Sequence, residues 1–451
     1  MRKGFAYFVL SIILCFTMIV PSFAESIPSP STAGPSGDIT TLAGQFIDDL
    51  KSSDYEKAGA LLDDTLKNAL PQDKLKQLWD SLQAQSGTYE KQVASKVEKA
   101  DAYQNVTVTC QFEQAYIDFI ITFDAAEKIA GLHFNQSTYT GDSVKMPDSV
   151  TEKDVTVGSG EWKLPGTLTM PKGKGPFYAV VLVHGSGPND RDETIGPNKP
   201  FRDLAWGLAS QGIAVLRYDK RTKVYATKLQ AAGGIITVKE ESVDDALAAV
   251  TLLKNTSGIN KKKIFVAGHS LGGMLIPRIG AGDTGIAGLV SLAGPARPLE
   301  DITLEQCVYL LSLDTASAKA DKDKYLSQIK AQVKAIKDPK LSAKTPASQL
   351  LGIPAKYWLD LRGYNPPAAA SRLKQPILIL QGGRDYQVTS VDFKLWKAGC
   401  SAKKNMTYMF YSDLNHLFMT GKGKSTPQEY EQPGHISEKV LKDIGTWIKR
   451  N

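Results

Sequence analysis

The sequence predicts an α/β protein preceded by a smaller α+β unit. From about residue 150 onward, short apolar runs alternate with amphipathic helical stripes, which is typical of a mostly parallel sheet covered by helices on both faces. Before about residue 140 the helical stripes come first and alternating strands follow. A glycine-rich turn at residues 268–272 separates an apolar run from a helix, and it directs attention to the larger unit as the site of any chemistry.

Residues 1–24 have the pattern of a secretory signal peptide. A basic start is followed by an apolar run from about Phe5 to Val20, and small residues precede a cleavage site after Ala24. The run is shorter than the ~20 residues that a membrane-spanning helix needs. We therefore expect a bacterial protein that is secreted or extracytoplasmic, with an uncleaved N-terminal anchor as the alternative. Residues 25–37 are rich in Pro, Ser and Gly and are predicted to form a flexible linker.

Residues 38–140 are predicted to form the small α+β domain. Apolar residues recur at helical spacing in its first half and then follow strand-like runs at 106–112, 115–123 and 129–134. No catalytic constellation stands out here, and His133 is expected to be an ordinary strand residue. Binding to a cell-wall polymer or to the second domain is the functional expectation for this unit.

The composition predicts a globular protein of more than one domain. The chain has 451 residues, of which 42% are hydrophobic and 22% charged. The formal net charge of +7 is spread along the chain, which does not favour nucleic-acid binding and at most gives a weak attraction to an anionic cell wall or lipid surface. After the signal, no stretch is apolar enough to span a membrane, so we expect no transmembrane segment in the mature chain.

Cysteine usage adds little to this interpretation. Cleavage of the signal leaves Cys110, Cys307 and Cys400, an odd number that permits at most one internal disulfide. Their wide spacing matches no metal motif, so we expect buried or free thiols and no metal site.

The turn from Gly268 to Gly272 has the G-x-S-x-G form of a nucleophile elbow. It follows the apolar run 264–267 and precedes an apolar helix start, so Ser270 is expected on a sharp turn at a strand end, where its hydroxyl is a candidate nucleophile. The chain contains 38 glycines, so an incidental serine in a glycine-rich turn is the alternative. The elbow interpretation requires an acid and a histidine downstream, in that order.

The histidines give a sharp test because the chain has five of them. Downstream of Ser270 only His416 and His435 remain. His416 lies in a loop after the strand-like run 407–411, whereas His435 precedes a terminal amphipathic helix. A general base belongs on a loop beyond a strand end, which favours His416.

Asp385 is the predicted acid of this constellation. It follows the buried-strand run 376–380 in a turn loosened by two glycines, from which its carboxylate can hold the tautomer of His416. The alternative is Asp413, but an aspartate three residues before His416 on the same loop is more often a turn former.

Backbone N–H groups are predicted to form an oxyanion hole beside the serine. One donor is expected from Leu271, the residue after the nucleophile. The second is expected from the glycine-rich loop that follows the apolar strand 179–183. The N–H of Ser186 is the first candidate in this loop, and that of Gly187 is the second. A glycine-rich turn with no such role is the alternative.

The strand–helix alternation is interrupted at about residues 295–374, which predicts a helical cap over the site. Its aromatic pair, Tyr357 and Trp358, is the candidate lining of an acyl or alcohol pocket. The alternative is that these residues only pack the cap onto the body.

Together these segments resemble the α/β-hydrolase superfamily over roughly residues 150–451. The resemblance is closest to bacterial carboxylesterases grouped with serine-aminopeptidase-like hydrolases, which share the His184–Glu193 and Arg217–Arg221 stretches, and several of which carry an N-terminal domain of unknown function. It implies a serine hydrolase that cleaves short-chain carboxylic esters, a small-molecule substrate, without a cofactor. The implied triad is Ser270, Asp385 and His416.

Other functions remain open at this level because one fold hosts many activities. A peptidase of the aminopeptidase type or a thioesterase of the same superfamily is one alternative, although Leu271 stands where such peptidases often carry Tyr. A non-catalytic cell-surface binding protein is another, and the complete set of Ser270, Asp385 and His416 argues against it.

Overall fold

The computed structural model describes residues 39–451 apart from 101–102, 138, 140–144 and 232–235. The predicted signal peptide, residues 1–24, and the predicted linker, residues 25–37, lie outside the described residues. Within them the chain forms two sheets with their own helices, an antiparallel one first and a mostly parallel one afterwards. The fold class predicted from the sequence is confirmed.

The first unit packs four helices on a four-stranded antiparallel sheet. The helices are α1 (Ile39–Lys51), α2 (Tyr55–Ala60), α3 (Asp64–Ala69) and α4 (Gln72–Ser86). The strands, in spatial order, are β1 (Tyr89–Ala100), β2 (Tyr103–Phe112), β3 (Tyr116–Phe123) and β4 (Ile129–Gln136). Phe46 and Leu50 of α1 are fully buried together with Phe119 of β3, which anchors the helices to one face of the sheet.

Strand β1 was not predicted from the sequence. Its residues are mostly Lys, Glu, Gln and Ser, so it lacks the apolar alternation that marks a half-buried strand. It pairs with β2 along its whole length, and register shifts interrupt the pairing near Lys91 and Ala94. Main-chain hydrogen bonds to the more apolar strand β2 therefore stabilise β1, although β1 has no apolar alternation of its own.

The second unit is an eight-stranded sheet in the order β12-β11-β10-β9-β7-β8-β6-β5. All its neighbouring pairs are parallel except those that involve β6. The strands are β5 (Val150–Val157), β6 (Leu164–Pro171), β7 (Phe177–Val183), β8 (Ile213–Tyr218), β9 (Ile259–His269), β10 (Gly288–Leu292), β11 (Ile377–Gly382) and β12 (Met406–Tyr411).

Helices cover both faces of this sheet. They are α5 (Pro200–Ala209), α6 (Arg221–Val224), α7 (Ala226–Ala231), α8 (Asp244–Lys254), α9 (Leu271–Gly282), α14 (Ser390–Gly399) and α15 (Glu438–Arg450). Neighbouring strand residues point to opposite faces, so Val180 and Phe265 join one core while Val181 and Val266 join the other. All four are fully buried, which explains why these strands are continuous apolar runs.

A helical insertion lies between β10 and β11. It contains α10 (Leu299–Leu313), α11 (Lys319–Lys337), α12 (Ala355–Leu361) and α13 (Pro366–Ser371). The inner stripe of α11, which includes Val333 and Ile336, packs against Trp358 and Cys307 in a core of its own. The lysines of α11 occupy its outer, solvated face. This insertion lies within residues 295–374, the range in which the sequence predicts a cap.

In the described part of the chain, no helix combines the length and apolar character that crossing a bilayer requires. Cys110, Cys307 and Cys400 are all buried free thiols. Burial raises the pKa of the Cys110 and Cys307 thiols to about 12, so they are protonated and poorly nucleophilic at neutral pH.

Candidate active site

Ser270 stands on a strained turn between β9 and α9. Its backbone has φ 50° and ψ −116°, a left-handed region that residues with a side chain seldom adopt. The turn is tight enough to demand glycine on either side. A Cβ on Gly268 would lie 2.3 Å from the carbonyl carbon of Gly272, and a Cβ on Gly272 would lie 2.3 Å from the carbonyl oxygen of Val183. The structure therefore has the elbow geometry expected from the sequence.

Asp385 and His416 form a buried pair at the ends of β11 and β12. The His416 Nδ1 atom lies 2.7 Å from Asp385 Oδ2, and both residues are 3% exposed. The other carboxylate oxygen accepts the backbone N–H groups of Gln387 and Val388 at 2.7 and 3.0 Å. A carboxylate anchored in this way orients the ring and favours the tautomer that leaves Nε2 free to accept a proton.

Ser270 and His416 line the same cavity. Among the described residues, the His416 ring forms its hydrogen bond with Asp385 and none with Ser270 Oγ. Hydrogen bonds between a nucleophile and its base are often long in a ligand-free enzyme and tighten in the substrate complex. The arrangement is compatible with proton transfer from Ser270 to His416.

The rival residues lie elsewhere. Asp413 is exposed on the loop before His416, where its backbone carbonyl accepts the N–H of Gly421. His435 is half-exposed and pairs with Asp203 at 3.0 Å, just before α15. His133 is an exposed residue of β4 opposite Ile120. Of these candidates, Asp385 and His416 are the acid and the imidazole that the structure brings together.

The expected oxyanion donors are both on the cavity wall. Leu271 begins α9 directly after Ser270, and Ser186 lies in the loop that follows β7. The backbone of Gly185 in this loop is held by two buried charged side chains. Its N–H donates to Glu193 Oε1 at 2.6 Å, and its carbonyl accepts from Lys220 Nζ at 2.6 Å.

The cavity has a volume of about 400 Å³ and is lined on one side by residues of the cap. Tyr357 lies on its wall and donates its hydroxyl to Glu241 Oε2 at 2.7 Å. Trp358 does not line it, because its indole packs in the cap core and donates to the Leu350 carbonyl. The expectation of an aromatic pair in the pocket is therefore corrected to Tyr357 alone.

Two buried ion pairs beside the cavity were not predicted from the sequence. His269 Nδ1 lies 2.8 Å from Glu193 Oε2, and Lys220 Nζ lies 2.7 Å from Glu241 Oε1. Three of these four residues lie in segments that were already singled out from the sequence. Glu193 and Lys220 belong to the two stretches that carry the family resemblance, and His269 lies inside the elbow.

The environment of His269 favours its charged form. Burial alone would lower the pKa of this imidazole, but the Glu193 carboxylate outweighs burial and the pKa is raised. The same attraction lowers the pKa of the Glu193 carboxyl despite its burial. His269 Nε2 faces the carbonyl oxygen of His416 at 3.0 Å, so both ring nitrogens of His269 face oxygen atoms that can only accept.

His184 is the opposite case. Its ring is packed between Phe201 and Tyr218, with ring centroids 5.0 and 5.3 Å away. Burial lowers the pKa of this imidazole to about 4, so His184 is neutral at pH 7.

Acidification is expected to destabilise the protein through His184. Its pKa is lower in the folded state than in an unfolded chain, where it is about 6.5, so the unfolded state binds the proton first as pH falls. The resulting loss in the free energy of unfolding is about 3 kcal/mol between pH 6.5 and pH 4. Urea titrations should show a shallower decline for His184→Gln over this range. His133→Gln, at an exposed site, should keep the wild-type slope, and equal slopes for all three proteins would contradict the assignment.

Among the described residues, no cluster of three or more His, Cys, Asp or Glu side chains is arranged to hold a metal ion.

Comparison with known proteins decides the family. A family model described as serine aminopeptidase, S33, matches residues 176–422, more than half of the chain. The chain belongs to this S33 family. Membership agrees with the strand order and elbow described above and confirms the α/β-hydrolase fold. In this S33 protein, residues 43–132 also match a family described as a protein of unknown function, which covers most of the α+β unit.

A curated relative of this S33 protein is the esterase EstD of Thermotoga maritima. The two are 41% identical over 410 residues, which is 89% of this chain and 93% of EstD. Among solved structures, the esterase Pf2001 of Pyrococcus furiosus is 19% identical with a TM-score of 0.44, over 67% of this chain and 92% of that one. Est1E from Butyrivibrio proteoclasticus is 15% identical with a TM-score of 0.42, over 66% and 99%.

Proposed function

We propose that this chain is a carboxylesterase that uses Ser270 as nucleophile, His416 as general base and acid, and Asp385 to orient His416. The observation that carries the proposal is the buried Asp385–His416 pair, which opens onto the cavity that contains the strained Ser270 elbow. The 41% identity to an esterase over most of the chain supports ester hydrolysis as the activity.

Acylation begins when His416 Nε2 accepts the Ser270 hydroxyl proton and Oγ bonds to the ester carbonyl carbon. The carbonyl oxygen becomes an oxyanion, which the N–H groups of Ser186 and Leu271 stabilise by roughly 3–4 kcal/mol each if they act like other such donors. The tetrahedral intermediate then collapses, the bond to the alkoxy oxygen breaks, and His416 returns its proton to the departing alcohol.

Deacylation repeats these steps with water. His416 removes a proton from the water as its oxygen attacks the acyl carbon, and the same backbone donors hold the second oxyanion. Collapse releases the carboxylic acid and returns the proton to Ser270. Asp385 accepts the hydrogen bond from His416 Nδ1 and stabilises the imidazolium that forms in each half of the cycle.

We infer a preference for short acyl chains from the size of this cavity. Its volume of about 400 Å³ is near the lower end of the ~300–1,000 Å³ typical of ligand pockets. Leu299, Ile302 and Ile353 from the cap region close one side, which limits the space for a long chain.

An aminopeptidase is the second candidate, because an unpaired acid lies on the cavity wall. Glu431 lines the cavity and forms no ion pair with the described residues, and burial raises the pKa of its carboxyl. A carboxylate in this position suits the ammonium group of a peptide N-terminus. The family description as serine aminopeptidase agrees with this candidate.

The experiment combines labelling with a substrate series. A fluorophosphonate should label one site, and mass spectrometry should locate it at Ser270. The kcat/KM for p-nitrophenyl esters should be highest for acetate to butyrate and fall for longer acyl chains, while amino-acid p-nitroanilides should react far more slowly. Labelling at another serine would contradict the proposed nucleophile. Faster cleavage of the anilides would favour the aminopeptidase.

A further inference from the structure

The His184–Glu193 and Arg217–Arg221 stretches meet at the backbone of Gly185. Glu193 accepts the Gly185 N–H at 2.6 Å, and Lys220 donates to the Gly185 carbonyl at 2.6 Å. Glu193 is 2% exposed and Lys220 is 1% exposed. Hydrogen bonds with an ionised partner are roughly twice as strong as neutral ones, so two buried charged groups hold successive peptide units of this loop.

Because the peptide bond is planar, the contact between Lys220 and the Gly185 carbonyl also determines the direction of the Ser186 N–H. The Gly185 carbonyl and the Ser186 N–H belong to one planar peptide unit, which is trans. In a trans peptide these two groups point in opposite directions, so fixing the carbonyl fixes the direction of the N–H. A donor on the carbonyl oxygen also polarises the unit, which makes its N–H a better donor to an anion.

Lys220 is itself held in place. Its ammonium lies 2.7 Å from Glu241 Oε1, and the second oxygen of Glu241 accepts the Tyr357 hydroxyl at 2.7 Å. Glu241 is 5% exposed, so the pair is sheltered from solvent. Swinging Lys220 away would leave a buried carboxylate without its counter-charge, which is strongly unfavourable. The ammonium therefore has little freedom to release the Gly185 carbonyl.

We propose that Lys220 is a positioning residue of the oxyanion hole, which aims the Ser186 N–H at the reacting carbonyl oxygen through the Gly185–Ser186 peptide. Glu193 fixes the preceding peptide unit from the other side. The inference rests on the proposed function, because an aimed N–H matters only where a tetrahedral oxyanion forms. Its effect belongs to the transition state and not to the bound ester.

The test is the double variant K220M/E241Q, which removes both charges of the pair together. Its kcat for p-nitrophenyl acetate is expected to fall roughly 10- to 100-fold, less than the loss of a whole donor, with KM within about threefold of wild type. The affinity for a trifluoromethyl ketone, which forms a tetrahedral adduct with serine, should fall by the same factor. A role limited to stability would lower the melting temperature without this shared loss.

A second variant keeps the test decisive if the double variant does not fold. Lys220→Gln removes only the ammonium, and the same fall in kcat and in ketone affinity is expected. The matched control is K254M/D283N, which removes a different lysine–carboxylate ion pair, Lys254–Asp283, whose residues do not line the cavity. It should retain wild-type kcat.

Fluorophosphonate labelling separates the two possible failures. If the wild-type protein is not labelled at Ser270, the proposed function fails. If Ser270 is labelled but a folded Lys220 variant keeps its kcat and ketone affinity within threefold of wild type, the positioning role is overturned. A larger rise in KM than fall in kcat would overturn it as well, since that pattern reports lost ground-state binding.

Discussion

Ser270→Ala is expected to lower kcat for p-nitrophenyl acetate by roughly 10⁴- to 10⁶-fold, the range seen when a serine hydrolase loses its nucleophile. The variant keeps the cavity and the backbone donors but cannot form the acyl-enzyme. Substrate binding should change little, so a non-hydrolysable ester analogue should retain its affinity. Initial rates at enzyme concentrations high enough to detect residual turnover would measure this.

Ser401→Ala is the control for Ser270→Ala, because Ser401 is an exposed serine after α14. It should react at the wild-type rate. Ester turnover within tenfold of wild type in a folded Ser270→Ala protein would show that another group attacks the substrate.

Asp385→Asn is expected to reduce kcat by about 10⁴-fold, as the corresponding change does in other triads. The amide keeps the shape of the side chain but presents an NH₂ group where His416 Nδ1 now donates. It therefore favours the tautomer with the proton on Nε2, which cannot accept the Ser270 proton. Steady-state kinetics at pH 7 would measure the loss.

Asp413→Asn is the matched control for Asp385→Asn. Asp413 precedes His416 on the same loop, but it is exposed and is not bonded to the ring. Its substitution should leave kcat within about threefold of wild type. A larger loss of kcat from Asp413→Asn than from Asp385→Asn would show that Asp413, and not Asp385, is the acid that orients His416.

The larger unit of the fold could be predicted because its signals are local. Val180 and Val181 are adjacent in sequence, yet their side chains enter different cores. A parallel strand that is buried on both faces therefore appears in the sequence as an unbroken apolar run. Ser270 and Asp385 each follow such a run, and His416 follows the less buried edge strand β12. The chain order of these residues was the basis for predicting that the acid and the base lie together, and Asp385 and His416 are 2.7 Å apart.

The remaining features depend on contacts between residues far apart in sequence. Strand β1 has no apolar pattern, and its pairing with β2 cannot be inferred from Lys and Glu residues alone. The direction of the Trp358 ring depends on a cap core assembled from several helices. Lys220 is only 1% exposed, and the cost of burying its charge is offset by the ion pair with Glu241. Glu241 is 21 residues away in the sequence, so this pairing cannot be predicted from the residues around Lys220.

The end of β4 has a practical consequence for work on this enzyme. Gln136, a residue of the antiparallel sheet, lines the same cavity as Ser270. The wall of this cavity is thus shared between the α+β unit and the hydrolase body. A truncated protein that begins at the hydrolase body would lack Gln136 in the cavity wall, so substrate preferences measured on it should not be transferred to the chain that carries both units.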